Sequence, residues 1–437
     1  MEINASITAA LLALGIASQA GAQNVVYLTG STAFRSTVDA ALNTPGVVFD
    51  TGTTISYVAY GNANFANANF LVFFGMISNT PTYIDCAWSG SEAGIASASD
   101  VTIENTDRNG NPIPLAGSPE KWLDVSAVTL NDSAYSTNPP ANLFESTSHG
   151  ADLAQADTSQ AVSLTPAVAG TSTELHDFGS EGVVTFTWCK NAQTSPTHEW
   201  NDFTNISIEQ AFIALGGPQP VGFFTGNTND DDMMVYMVGR NKGSGTRANT
   251  LSDTGYGTTR NVQQFSVGLG IEEPATGTLI LTNESNNGYE SGGGVGAALA
   301  IPGSCQQTDP FPNAFGGQNP GWIAIGYISP SDAISHGLTI ANGNWLGEDG
   351  VMESDGAIEN GQYSFWGHEH LYGKYGISGY QFTAGNNIFN GVQSYLANVN
   401  KWGSDPTAHD PGIAYKYMNC VKSSDVAYPV WSGQLGY

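Results

Sequence analysis

Met233-Met-Val-Tyr-Met-Val238, running directly into Gly239-Arg-Asn-Lys-Gly-Ser-Gly-Thr246 and then Arg247-Ala-Asn-Thr-Leu251, is the stretch on which the fold turns. An unbroken apolar run of this length reads as a buried strand, and a small, polar turn followed by a helical segment completes a strand-turn-helix unit. The turn has a chemistry of its own. A helix N-terminus carries unpaired backbone N–H groups and the positive end of the dipole, and Gly lets a ligand approach that backbone closely. Ser244 and Thr246 add hydroxyl donors, and Arg240 brings a planar guanidinium suited to two oxygens of one anion. The Walker pattern G-x-x-x-x-G-K-[ST] is absent, which argues against a nucleotide loop.

The same logic appears near the start. Val25-Val-Tyr-Leu28 leads through Thr29-Gly-Ser-Thr32 into Ala33-Phe-Arg-Ser-Thr-Val-Asp-Ala-Ala-Leu42, so Gly30, Ser31 and Thr32 offer a second anion cradle. Strands alternating with helices imply an α/β fold with mainly parallel sheets and helices on both faces, ligands sitting beyond the carboxyl ends of the strands. The Asn/Gly/Ser-rich tracts 100–142 and 339–360 read as loop insertions on that frame. No fixed-period repeat is present.

The chain has 437 residues, enough for two or three domains, and its 12 Lys+Arg against 39 Asp+Glu give a net charge of −27. So acidic a surface excludes sequence-independent binding of nucleic acid or anionic lipid. It does not exclude a small anion, because fixed N–H donors act at contact range while distant charge is screened over roughly 8 Å. Ile7 to Ala17 is a short apolar run followed by Ala20-Gly21-Ala22, which reads as a signal peptide over residues 1–22 and places the mature protein outside the cytoplasm, periplasmic or extracellular. No later run is long enough for membrane insertion. Cys86, Cys189, Cys305 and Cys420 lack any C-x-x-C spacing, so zinc is disfavoured; in an oxidising compartment two disulfides are expected, in any of three pairings.

With these motifs in place, the chain resembles the phosphate-binding proteins of bacterial ABC uptake systems, members of the type II periplasmic binding fold. Arg240-Asn-Lys-Gly-Ser-Gly-Thr246 is similar to the family's most specific signature, Arg-x-x-Gly-Ser-Gly-Thr. Leu28 to Phe34 resembles its opening anion loop, and Ile84-Asp-Cys-Ala-Trp-Ser-Gly-Ser-Glu-Ala93 its second-loop motif. Asn205 to Ala211, Gly292 to Ala297, Ile325 to Tyr327 and Tyr363 to Tyr372 are similar to supporting stretches in the same order. The resemblance implies two lobes, 23–164 plus 363–437 and 165–362, closing on inorganic phosphate or a similar tetrahedral oxyanion that an ABC permease then takes up. It implies contacts from Ser31, Thr32, Phe34, Arg240, Ser244, Gly245 and Thr246. Glu92 falls where the family places an aspartate that accepts a proton-bearing oxygen and rejects fully ionised sulfate. Here the acid is Glu, and the family's Ser-Gly-rich loop is replaced by Tyr60-Gly-Asn-Ala-Asn-Phe-Ala-Asn-Ala-Asn69.

No catalytic set, metal site or cofactor is nominated. His368 and His370 point the same way on a strand but lack a third ligand, Asp230-Asp-Asp232 reads as a solvated loop end, and Asn105-Thr-Asp-Arg-Asn-Gly110 opens like a calcium loop without its closing Glu. No Gly-x-Ser-x-Gly elbow occurs. The alternative function is an extracellular adhesive or filament-forming protein that keeps this fold with a weakened or lost anion site.

Overall fold

The computed structural model describes residues 24–61, 65–106, 111–115, 120–131, 133–134, 138–268, 281–302, 321–398, 412–424 and 429–431. The signal segment, Cys305 and most of the calcium-like loop lie outside them. Strands of the first sheet are β1 (Asn24–Gly30), β2 (Ser56–Tyr60), β3 (Phe70–Ile77), β4 (Thr80–Ala87), β5 (Ser133–Ala134), β6 (Leu153–Ala156) and β7 (His176–Thr185). The second sheet takes β8 (Thr187–Lys190), β9 (Asn205–Ile206), β10 (Gln219–Pro220), β11 (Met233–Val238), β12 (Gly321–Ile328) and β13 (Trp345–Glu348). Strand β14 (Trp366–Gly373) returns to the first.

The first sheet is ordered β5-β2-β3-β4-β1-β6-β14-β7 and the second β9-β13-β8-β12-β11-β10. Both are mixed. β1 runs parallel to β4 and to β6, and β11 parallel to β12, so parallel pairs occupy the centres where the functional loops arise. The chain passes from one sheet to the other at Phe186 and returns between Glu348 and Trp366.

Alternation along the strands explains the layering. Val26 and Leu28 of β1 join the large core, which also holds Val38 and Leu42 of α1 (Arg35–Asn43) and Ile388 and Val392 of the C-terminal helix Gly379–Asn398. The intervening Tyr27 points to the opposite face, against the smaller cluster of Ile95 and Ala98 from α2 (Ser91–Ala98). Both faces are thus covered by helices. The second sheet repeats this: Met233, Val235 and Met237 share a core with Leu215 of α3 (Ile208–Gly216) and Leu251 of α4 (Gly245–Asp253). Met234, Tyr236 and Val238 pack with Val295 and Leu299 of α5 (Gly292–Leu299). All six residues of β11 are buried, as an apolar run in a doubly covered sheet must be.

The expected pair of disulfides is corrected. Cys86, Cys189 and Cys420 are free and buried. Cys86 sits on β4 of the first sheet, Cys189 on β8 of the second and Cys420 in a short C-terminal hairpin, so each packs as a small apolar residue in its own part of the core.

Candidate functional site

Three loops meet between the sheets. The first leaves β1: Gly30 has φ 119°, and a Cβ there would fall 1.9 Å from the Gln155 carbonyl oxygen, so only Gly fits. Ser31 N–H donates to that carbonyl at 2.8 Å, and Ser31 Oγ accepts from Phe34 N–H at the start of α1. The second loop leaves β4, and Gly90 (φ 104°) turns it into α2. The third leaves β11 and enters α4, whose N-cap Ser244 accepts from Arg247 N–H at 3.2 Å.

The second and third loops are in direct contact. Glu92 N–H donates to Gly243 O at 3.1 Å, and Thr158 Oγ1 donates to Gly245 O at 3.2 Å, so the lobes already touch here. Between the starts of α2 and α4 stands a carboxylate that sequence reasoning missed. Asp157 follows β6, is 1% exposed, and accepts from Ser91 Oγ at 2.6 Å. A Cβ on Gly245 would lie 1.5 Å from Asp157 Oδ1 and 2.6 Å from Ser91 Oγ. Gly245 is therefore what lets the two helix starts and this carboxylate share one spot.

Arg240, 3% exposed, donates from Nη2 to Glu290 O at 2.8 Å, while its Nε is buried without a partner. Burial draws the guanidinium below its usual range, and Asp332, Tyr327 and Asp157 oppose that shift. Its main chain is pinned: Arg240 N–H donates to Tyr327 Oη at 3.1 Å, and Arg240 O accepts from Arg247 Nη1 at 2.9 Å. Arg247 also donates to Asn286 O and Oδ1, so a second arginine braces the loop.

The remaining sequence-nominated residues divide. Ser244, Gly245 and Thr246 are buried at the start of α4, and Thr32 is half-buried on the wall of the interlobe cleft. The Phe34 ring lies in the large core, packed towards Leu396 and Gly412, so only its main chain belongs to the loop. Glu92 is buried, but its Oε2 accepts from Ser163 Oγ and Leu164 N–H, both at 2.8 Å. Burial pushes its pKa up to about 7. Asp157, rather than Glu92, is the carboxylate beside Ser91 Oγ and Gly245. Glu369 lies behind Ser31, its pKa raised by burial and by the nearby Asp157 and Glu181.

The histidine pair is used in packing: His368 Nδ1 meets Tyr415 Oη at 2.5 Å, and His370 faces Asp177 at 3.6 Å. Asp230 is buried, accepting from Thr225 Oγ1 and Asn227 Nδ2 to close its turn. Among the described residues no group of three or more His, Cys, Asp or Glu is placed to hold a metal, and no helix is long and apolar enough to cross a membrane.

Fold and geometry together give a two-lobed α/β protein in which the loops after β4 and β11 are in contact between its lobes. No family model and no curated protein matches the chain. Similar solved structures include one reported as a phosphate ABC transporter substrate-binding protein with bound phosphate from Clostridium perfringens, 14% identical, covering 86% of this chain and 97% of that one at TM-score 0.41. An ABC-type phosphate transport receptor from Vibrio cholerae is 12% identical over 86% of this chain and 98% of its own, at TM-score 0.41. PstS from Borrelia burgdorferi is 12% identical over 86% and 96%, at TM-score 0.31.

Proposed function

We propose that this chain is an exported solute-binding protein that holds a proton-bearing tetrahedral oxyanion, phosphate in the first instance, between its lobes for delivery to an ABC permease. The observation that carries the reading is the buried Arg240 Nε, left without a partner in the loop that leads into α4. An unpaired buried donor on a charged group costs several kcal/mol unless something accepts from it. A small anion would accept it, and Ser31, Thr32, Ser244 and Thr246 supply further donors. Asp157, an acceptor only, suits an anion that still carries a proton, as phosphate does at neutral pH and sulfate does not. The role proposed is binding: the chain presents donors and one acceptor to the anion. An anion site lost to adhesive use gains no support from loops that converge in this way.

Thermal unfolding of the anion-free protein with phosphate, and with sulfate as control, tests the reading. Phosphate at 100 times its dissociation constant should stabilise the fold by about 2.7 kcal/mol. Equal response to both anions removes the role given to Asp157, and no response to either removes the reading.

A further inference from the structure

The interlobe cleft is far larger than the cradle requires. It encloses about 640 Å³ and reaches all three anion loops, through Thr32 of the first, Ser89 of the second and Asn241 of the third. A tetrahedral oxyanion fills on the order of 100 Å³, taking about 30 Å³ for each water-sized group, whereas clefts of several hundred Å³ take whole organic molecules. The space is not the gap of an open molecule, because the lobes are already hydrogen-bonded to each other at Gly243 and Gly245.

Its walls say what kind of body would fit. Arg35 lines the cleft, 8% exposed, its Nη1 donating to Asn69 Oδ1 at 2.9 Å and its Nη2 to Asn67 Oδ1 at 3.3 Å, while its Nε is buried with no partner. Glu120, 4% exposed, accepts from Thr29 Oγ1 at 2.9 Å and borders the same space. Asp332 and Glu290 face it from the other lobe. Asp332 and Glu290 disfavour a second phosphoryl group there, while they, Glu120 and the surrounding Ser and Asn groups are good partners for hydroxyls. A pyrophosphate or nucleoside diphosphate is disfavoured by Asp332 and Glu290, and a neutral hydroxyl-rich body is favoured.

Resting on the oxyanion reading above, we infer that the ligand is a phosphate monoester of a small polyol or sugar, its phosphoryl group in the cradle and its hydroxylated body in the cleft against Arg35 and Asp332. Titration calorimetry on the purified chain with inorganic phosphate, glucose 6-phosphate and glucose tests this. The ester should bind about tenfold or more tighter than inorganic phosphate, and glucose alone should show no heat, because the body adds contacts only once the phosphoryl group is anchored. Ser331→Phe, which narrows the cleft at a residue that is not one of the cradle's donors, should weaken the ester by about tenfold and leave inorganic phosphate within about twofold. Phosphate binding without ester binding overturns the inference and leaves the oxyanion reading standing; binding of neither overturns both. Ester affinity unchanged by Ser331→Phe also overturns it, since the body would then lie elsewhere.

Discussion

Gly245→Ala is the sharpest single perturbation of the site. The added methyl would begin 1.5 Å from Asp157 Oδ1 and 2.6 Å from Ser91 Oγ, and Asp157 is itself only 1% exposed. To reach ordinary contact, the carboxylate must retreat by about 2 Å, and the 2.6 Å bond from Ser91 Oγ is broken on the way. Overpacking costs about 1–3 kcal/mol and a hydrogen bond to a charged group about 1.5–3 kcal/mol, so a loss of roughly 3–5 kcal/mol is expected. Phosphate binding should fall below detection, because the start of α4 and the Asp157 acceptor are displaced together. The assay is denaturant unfolding with phosphate titration of each variant. Removing the obstructing carboxylate should relieve part of the damage, so Asp157→Ala/Gly245→Ala should be less unstable than the two single changes add up to, by about 1 kcal/mol or more. Strict additivity, or a Gly245→Ala protein of wild-type stability and affinity, would refute the reasoning.

The other expectations concern the acids and the thiols. Asp157→Asn, which trades an acceptor for a donor, should raise sulfate affinity relative to phosphate, whereas Glu92→Gln should leave the ratio unchanged because Glu92 faces Ser163 and Leu164; competition binding distinguishes them. Glu120 is held up to about 8 by burial, so its folded-state pKa lies above its unfolded value near 4.5. Its contribution is fully present below that unfolded value and is lost as pH rises through about 8. Glu120→Gln should therefore flatten the fall in stability between these pH values and gain a few kcal/mol at the alkaline end, read by unfolding at stepped pH. Cys86, Cys189 and Cys420 should resist thiol reagents in the native protein and react after unfolding, as mass-mapped alkylation would show.

Much of the frame was legible. β1 with its loop and α1, and β11 with its loop and α4, each combine an apolar run, a Gly/Ser turn and a helix start within about twenty residues, so local chemistry alone identifies them. The acid was not legible. Ser91 and Glu92 are neighbours in sequence, but successive residues on a helix point about 100° apart, so the one that faces the site cannot be told from adjacency. Asp157 follows a strand of only four residues with no periodic signal, and it reaches the site because β6 pairs beside β1, which only the sheet order reveals. Phe34 was misplaced for a related reason: its main chain belongs to the loop while its ring is drawn into the core by the Gly379–Asn398 helix. The disulfides failed because sequence separation says nothing of which sheet each cysteine joins.

The most direct test of the central claim is phosphate titration calorimetry on the anion-free protein beside Arg240→Ala. The account predicts saturable binding by the wild type and at least a hundredfold loss in the variant, about 2.7 kcal/mol for a charge-assisted partner of a buried anion. Equal binding by both proteins would show that phosphate sits away from the α4 cradle, and that the convergence of loops described here serves packing alone.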